Sequence, residues 1–234
     1  MISIVDKKGI IENDISLSKT FNGVLGISVF KTLFTSEVVV EITRLGTQVC
    51  KNFVILIVDY PERWNALLYE ITSIKEAKEY AKETSDKRQK EYRLALDRAG
   101  FHEINIWSWY RFLNEPRYEM NQKILIDYLH ADKTFRKQLI TQVVQNISPR
   151  IVYTQKRLGR KITRTERETI SQYFLEELGG LFYLFFDLGY PIDIYPGKNA
   201  WFIDDIFGNK YPELTRALGY DWSKWGYIEV GEDK

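Results

Sequence analysis

Two short runs near the N-terminus are apolar at almost every position: Gly23-Val24-Leu25-Gly26-Ile27-Ser28, and Phe53-Val54-Ile55-Leu56-Ile57-Val58, which ends at Asp59. Continuous apolar runs of this length, bounded by polar residues, predict parallel strands buried on both faces. Thr35 to Val49 lies between them with a helical pattern. Strand, helix, strand is one βαβ unit and predicts a parallel α/β sheet. Ser73 to Ala99 reads as a long charged helix stopped by Gly100, and His102 to Trp107 as a third strand. A helical region opens at Pro116 and runs to about Ile147, with a break near Ala131-Asp132 and Pro149 beyond it. Thr165-Glu166-Arg167-Glu168 fits a capping box. It would open an apolar helix through Tyr173, Leu178 and Phe186 that stops at Gly189. Ile192 to Tyr195 is a short strand closed by Pro196-Gly197, and Tyr211 to Leu218 a helix ended by Gly219.

Composition narrows the class. The 234 residues carry no internal repeat or linker, so one domain over 1–234 is expected. Cys50 is the only cysteine, which argues for a reducing compartment and against a disulfide scaffold or a Cys-rich metal site. No signal-peptide pattern opens the chain. The longest apolar runs, Phe53–Val58 and Leu178–Phe186, are far below the roughly 20 residues that span a bilayer, so a soluble cytoplasmic protein is expected. With 33 basic and 32 acidic residues the net charge is +1, and any pull on nucleic acid must come from a local patch. Neither a Walker loop nor a dinucleotide-binding glycine motif occurs. His102 and His130 stand outside any metal-ligand spacing, so no metal is expected. Gly26-Ile27-Ser28-Val29-Phe30 is half a nucleophile elbow, with Phe30 where the second glycine would be.

The remaining chemistry is concentrated in a few residues. Ser28 ends the first strand of the βαβ unit, where open α/β sheets bind ligands, although a turn or capping serine is the commoner role. Glu176 and Glu177 sit in the apolar stretch YFLEELGGLFYLFF, so each must be paired or hold a raised pKa. Tyr173 lies one turn before Glu177 on the same helix face, and Gly180 would leave a notch beside it. A Tyr–Glu pair there suits recognition of an ammonium group or proton transfer; one of the two glutamates is expected to be exposed or paired with an arginine. Tyr195-Pro196 ends a later strand. Basic residues form two groups. Lys75, Lys78, Lys82, Lys90 and Arg93 share one face of the long helix, where acidic neighbours make a solvated face the ordinary reading. Lys156, Arg157, Arg160, Lys161, Arg164 and Arg167 are offset within their span only by Glu166, and read as a phosphate-contacting surface.

The ordered set resembles the cyclodipeptide synthase family: Gly26-Ile27-Ser28 on the first strand, Tyr173-x-x-x-Glu177 on a late helix, and Tyr195-Pro196 on the strand after it. The likeness covers roughly residues 22–230. The Ser73–Ala99 helix and Glu115-Pro116-Arg117-Tyr118 also sit where the family has comparable features. One branch of the family carries Asn three residues after the serine and Tyr-Gln late in the chain. With Lys31 and Tyr195-Pro196, this chain is similar to the other branch, and a role from the Asn branch does not carry over to Lys31.

The resemblance implies a Rossmann-like parallel sheet flanked by helices, as in the catalytic domain of class I aminoacyl-tRNA synthetases. It also implies an enzyme that makes a cyclic dipeptide, a 2,5-diketopiperazine, from two aminoacyl-tRNAs without ATP, metal or other cofactor. Ser28 would receive the first aminoacyl group, and Tyr173 and Glu177 would hold its α-ammonium. The aminoacyl-enzyme would then react with the second aminoacyl-tRNA, giving a dipeptidyl-enzyme that cyclises off Ser28. Tyr195 would position the serine and relay protons. Val24, Gly26, Lys31, Leu56, Gly180 and Asp193 are the implied substrate-binding residues. Lys82, Lys90, Arg93, Arg157, Arg160 and Lys161 are the candidates for tRNA contact. Diketopiperazine-tailoring enzymes that act on the product are the further partners this resemblance implies. Two other readings stand beside this one: a non-catalytic RNA-binding module, and a serine hydrolase or acyltransferase using His102 or His130.

Overall fold

A computed structural model describes residues 2–11, 19–67, 73–146, 155–156, 159–197 and 201–232. The two apolar runs are strands β2 (Gly23–Ser28) and β3 (Phe53–Val58), joined by α1 (Ser36–Val49), whose N-terminus Thr35 caps through its side chain. After β3 come a short helix α2 (Glu62–Ala66) and the long α3 (Ile74–Arg98). Ser73 and Glu76 form a capping box at the start of α3. β4 (Asn105–Ser108) follows, starting three residues later and ending one residue later than the pattern suggests. The helical region divides where expected, into α4 (Pro116–Ala131) and α5 (Lys133–Asn146). Asp132 makes the break, because its carboxylate accepts the N–H groups of Thr134 and Phe135 and restarts the helix. Ile147 to Pro149 lie outside the described residues.

The capping box of the next helix, α6 (Arg164–Phe182), is formed by Thr163 and Glu166 rather than Thr165 and Glu168. Both T-x-x-E frames exist in the sequence, and the earlier one wins. Arg160 adds a bidentate pair to Glu166, at 3.0 and 2.8 Å, which anchors that frame. One turn of π-helix (Tyr183–Asp187) extends α6 before Gly189. β5 (Ile192–Pro196), α7 (Trp201–Phe207), α8 (Pro212–Leu218) and β6 (Gly226–Glu232) complete the order. Gly219 ends α8 in the left-handed conformation, with φ 71°.

The sheet has six strands in the order β1-β6-β5-β2-β3-β4, and β1 is Ile2–Gly9. Five strands are parallel. β1 runs antiparallel along β6 and closes that edge. Alternation along the central strands splits the core in two. Leu25, Ile27, Ile55 and Ile57 face α1 and α3. Val24, Val54, Leu56 and Val58 face the layer built from α4, α5, α6, α7 and α8.

The topology fixes where a site can form. From β2 the chain builds outward through β3 and β4, then returns to place β5 on the other side of β2. That reversal makes β2 and β5 a topological switch point, beyond whose C-terminal ends α/β proteins bind ligands. The two strands pair only through Gly23–Ile192 and Val24–Asp193. Beyond that they part, leaving a crevice between Gly26–Ser28 and Ile194–Pro196. Among the described residues, no helix is long and apolar enough to cross a membrane.

Candidate active site

Ser28 is buried at the end of β2, on the face turned toward α6. Directly after it the chain turns, and the Lys31 N–H donates to the Ser28 carbonyl at 3.1 Å. Across the crevice, the Lys31 ammonium donates to the Tyr195 hydroxyl at 2.6 Å. Burial alone would lower the Lys31 pKa. The neighbouring Tyr195, Glu177 and Glu62 outweigh it, and the net shift is upward. The Tyr195 phenol is itself raised by burial, against the pull of Lys31.

The Ser28 hydroxyl donates to Glu62 Oε1. Glu62 opens α2, has no exposed surface, and accepts a second hydrogen bond from Asn65 Nδ2 at 2.9 Å. A buried carboxylate held on a serine hydroxyl can take its proton. Sequence reasoning passed over this residue. The available signal was position, because Asp59 directly follows a strand that ends at the binding edge and Glu62 lies three residues farther on. Asp59 has a structural task. It accepts from Ser85 Oγ (2.9 Å), Ser108 Oγ (2.6 Å) and the N–H groups of Tyr60 (2.9 Å) and Trp109 (3.0 Å), tying together the ends of β3 and β4 and the middle of α3.

Tyr173 and Glu177 are paired as their spacing implies: the Tyr173 hydroxyl donates to Glu177 Oε1 at 3.0 Å. Burial pushes the Glu177 carboxyl up to about 7, against the pull of Lys31 and the Tyr173 hydrogen bond. Burial also raises Tyr173, which feels the charges of Glu177, Glu62 and Tyr195. Glu176 is the glutamate held by an arginine. Arg63 grips it with both Nη atoms, Nη1 lying 2.6 Å from Oε2, and stacks on Tyr60 with the guanidinium carbon 3.7 Å from the ring centroid.

The expected pocket residues divide. Gly26 borders open space, since a Cβ built there meets nothing within 4 Å. Asp193 is partly exposed on β5 two residues before Tyr195, hence on the same face of the strand, and its carboxyl is pushed up to about 7 by burial and then by Glu177. Val24 and Leu56 share that face but are fully buried in the core. Gly180 leaves no notch beside Glu177, because the Trp109 indole fills the space a Cβ would take.

The basic candidates also divide. Lys82 and Lys90 are exposed on α3, Lys82 pairing with Asp86 at 2.8 Å. Arg93 donates to the carbonyls of His102 (2.9 Å) and Ile104 (2.6 Å), so it braces the entry to β4. Lys161 is exposed, Arg160 is engaged with Glu166, and Arg157 lies outside the described residues. Neither His102 nor His130 hydrogen-bonds Ser28; both are exposed, on the turn after α3 and in the last turn of α4. No group of three or more His, Cys, Asp or Glu among the described residues is placed to hold a metal ion.

No family model matches the sequence. No curated protein sequence matches it either. Solved structures do. A cyclodipeptide synthase from Staphylococcus haemolyticus superposes with a TM-score of 0.75 at 15% identity, over 98% of this chain and 99% of that one. The chain has the cyclodipeptide synthase fold. A synthase from Candidatus Glomeribacter gigasporarum, bound to Phe-tRNAPhe, matches at TM-score 0.66 and 19% identity over 96% of this chain and 93% of its own. A Mycobacterium tuberculosis protein, described as demonstrating that cyclodipeptide synthetases are related to type I tRNA synthetases, matches at 0.61 and 15% over 93% and 88%. The likeness thus spans nearly the whole chain, both layers and the crevice included.

Proposed function

We propose that this chain is a tRNA-dependent cyclodipeptide synthase that works through an aminoacyl-serine and acts as one catalytic domain in the cytoplasm. The observation that carries the reading is the Ser28 hydroxyl held by the buried Glu62 at a crevice that also contains the Tyr173–Glu177 pair. The fold shared with synthases, one of them bound to a charged tRNA, supports it.

Ser28 Oγ attacks the ester carbonyl carbon of the first aminoacyl-tRNA. Its proton passes to Glu62, the new Oγ–C bond forms, and the ester bond to the ribose breaks. The ribose oxygen leaves with a proton returned from the Glu62 carboxyl. Meanwhile Glu177 and the Tyr173 hydroxyl hold the α-ammonium. In the second stage that ammonium surrenders a proton to Glu177, whose affinity near pH 7 suits the exchange. The freed amine attacks the ester of the second aminoacyl-tRNA, a peptide bond forms, and the second tRNA departs. The amine of the dipeptidyl group then attacks the Ser28 ester. The ring closes and Ser28 regains its proton. Tyr195, pinned by Lys31, fixes the wall opposite Ser28 and offers a hydroxyl to the reacting oxygens. Each stage exchanges an activated ester for an ester or an amide, so no separate activation step is required.

Mixing the protein with one charged tRNA and quenching in acid tests this. The expected result is one aminoacyl mass added to the peptide containing Ser28, lost in Ser28→Ala, and a diketopiperazine when turnover continues. Product without any adduct would overturn the covalent route. The absence of both with every charged tRNA would overturn the function.

A further inference from the structure

Asp193 is anomalous within this site. It sits at the base of the crevice, in register with Val24 on one side and Tyr227 on the other, at the last point where β5 and β2 are paired. Among the described residues its carboxylate has neither a hydrogen-bond donor nor a cation for a partner. Tyr227, its neighbour on β6, donates instead to the Gly197 carbonyl. Lys31, the ammonium of the crevice, is committed to Tyr195. The charge that acts on Asp193 is another carboxylate, Glu177. Leaving such a group in a recess is costly unless a ligand supplies the partner.

Resting on the function proposed above, we propose that Asp193 selects a first aminoacyl group with a long basic side chain, lysyl or arginyl. Depth gives the length. Ser28 and Val24, which is level with Asp193, are four residues apart on β2, roughly 13 Å at the usual strand rise. With the acyl carbon on Ser28 and the α-ammonium at Glu177, an extended lysyl or arginyl chain descends about half of that distance, and its hydrogen bond together with the reach of the Asp193 side chain covers the rest. Gly26 lies between, and its missing side chain leaves the passage open. Charge gives the polarity. Among the described residues, Glu62 and Glu177 act on the Lys31 ammonium, and the only charge that acts on Asp193 is that of Glu177. The α-ammonium of any aminoacyl group answers Glu177, and only a second cation answers Asp193. A short polar side chain does not reach it, and a long apolar one buries the carboxylate without a partner.

The experiment uses one tRNA species acylated in turn with lysine, arginine, leucine, phenylalanine and serine, so that the RNA is constant. The rate of adduct formation on Ser28 is read by intact mass. Lysyl or arginyl is expected to load about tenfold or more faster than leucyl or phenylalanyl, the worth of one charge-assisted hydrogen bond. Asp193→Asn should reduce that ratio, and Asp193→Leu should invert it in favour of leucyl. Faster loading of leucyl or phenylalanyl by the wild-type protein would overturn the basic-side-chain assignment and leave the acyl-enzyme intact. An undiminished ratio in Asp193→Asn would overturn the role of Asp193. If none of the five loads, the basic-side-chain assignment fails, and if tRNA charged with each of the other amino acids also leaves no adduct, the underlying function fails with it.

Discussion

At the scale of single residues, the site stores strain as protonation. Burial raises Glu177 from 4.5 and Asp193 from 3.8, each to about 7. Between about pH 4 and about pH 7 the folded chain therefore holds protons that the unfolded chain has released. For carboxylates shifted upward, stability must fall as pH rises through that window and level off above it. Asp193→Asn removes its share of the penalty. Urea midpoints should show a variant more stable than wild type above about pH 7, with a flatter dependence below. Activity runs the other way. Glu177 must be ionised to hold an ammonium, so kcat/KM for loading should rise through an apparent pKa near 7 that belongs to the coupled pair. The adjacent glutamates should separate cleanly. Glu177→Gln keeps the fold and loses most loading. Glu176→Gln leaves Arg63 buried without its countercharge and should cost about 3–5 kcal/mol of stability in denaturation, with the loading rate per folded molecule nearly unchanged. Equal behaviour of the two variants would contradict this division.

At the scale of elements, the termini of α6 show how far a pattern can be read. Thr163→Ala should cost about 1 kcal/mol, and Thr165→Ala should stay within about 0.5 kcal/mol, because only Thr163 accepts a helix N–H. Thermal denaturation of the two variants decides it. The sequence offered both frames with equal local logic, and what selects between them is Arg160, a contact from outside the motif. Continuous apolar runs made β2 and β3 legible, and the strand-end rule then made Ser28 legible as a candidate. The helical spacing of Tyr173 and Glu177 survived into a real hydrogen bond. β1 and β6 escaped notice because Ile2–Gly9 and Gly226–Glu232 mix charges and glycines among their apolar positions: β1 is an edge strand defined by its pairing, and β6, paired on both sides, buries Tyr227, Ile228 and Val230 in a run too interrupted to read as a strand. Glu62 escaped because α2 has only five residues, too few for any periodicity. The Gly180 notch was misjudged because Trp109, distant in sequence, fills it.

At the scale of the whole molecule, a near-neutral chain must gather its own basic face if it is to hold tRNA. α3 is the element that can present one beside the crevice. Its N-terminal half packs on α2, and the Lys78 ammonium lies 5.4 Å from the centre of the Tyr60 ring, just beyond β3. The Lys82 ammonium feels the charge of Asp59, which places it near the same edge of the sheet. Lys90 stands exposed farther along the helix. Charged tRNA should therefore meet Lys78, Lys82 and Lys90 as its acceptor end enters the crevice. Replacing the three with alanine should weaken binding at low salt and reduce the slope of log K against log salt by about 0.7–0.9 for each phosphate no longer neutralised. Arg93 belongs to a different class despite sharing the face. Its guanidinium is spent on the carbonyls of His102 and Ile104, so Arg93→Ala should lower stability at the α3–β4 junction and leave the slope almost unchanged. Titrations of labelled aminoacyl-tRNA at several salt concentrations, run beside denaturation curves for the same variants, separate the two effects. If the triple variant kept the wild-type slope while Arg93→Ala reduced it, the RNA would contact Arg93 and not the lysine face of α3.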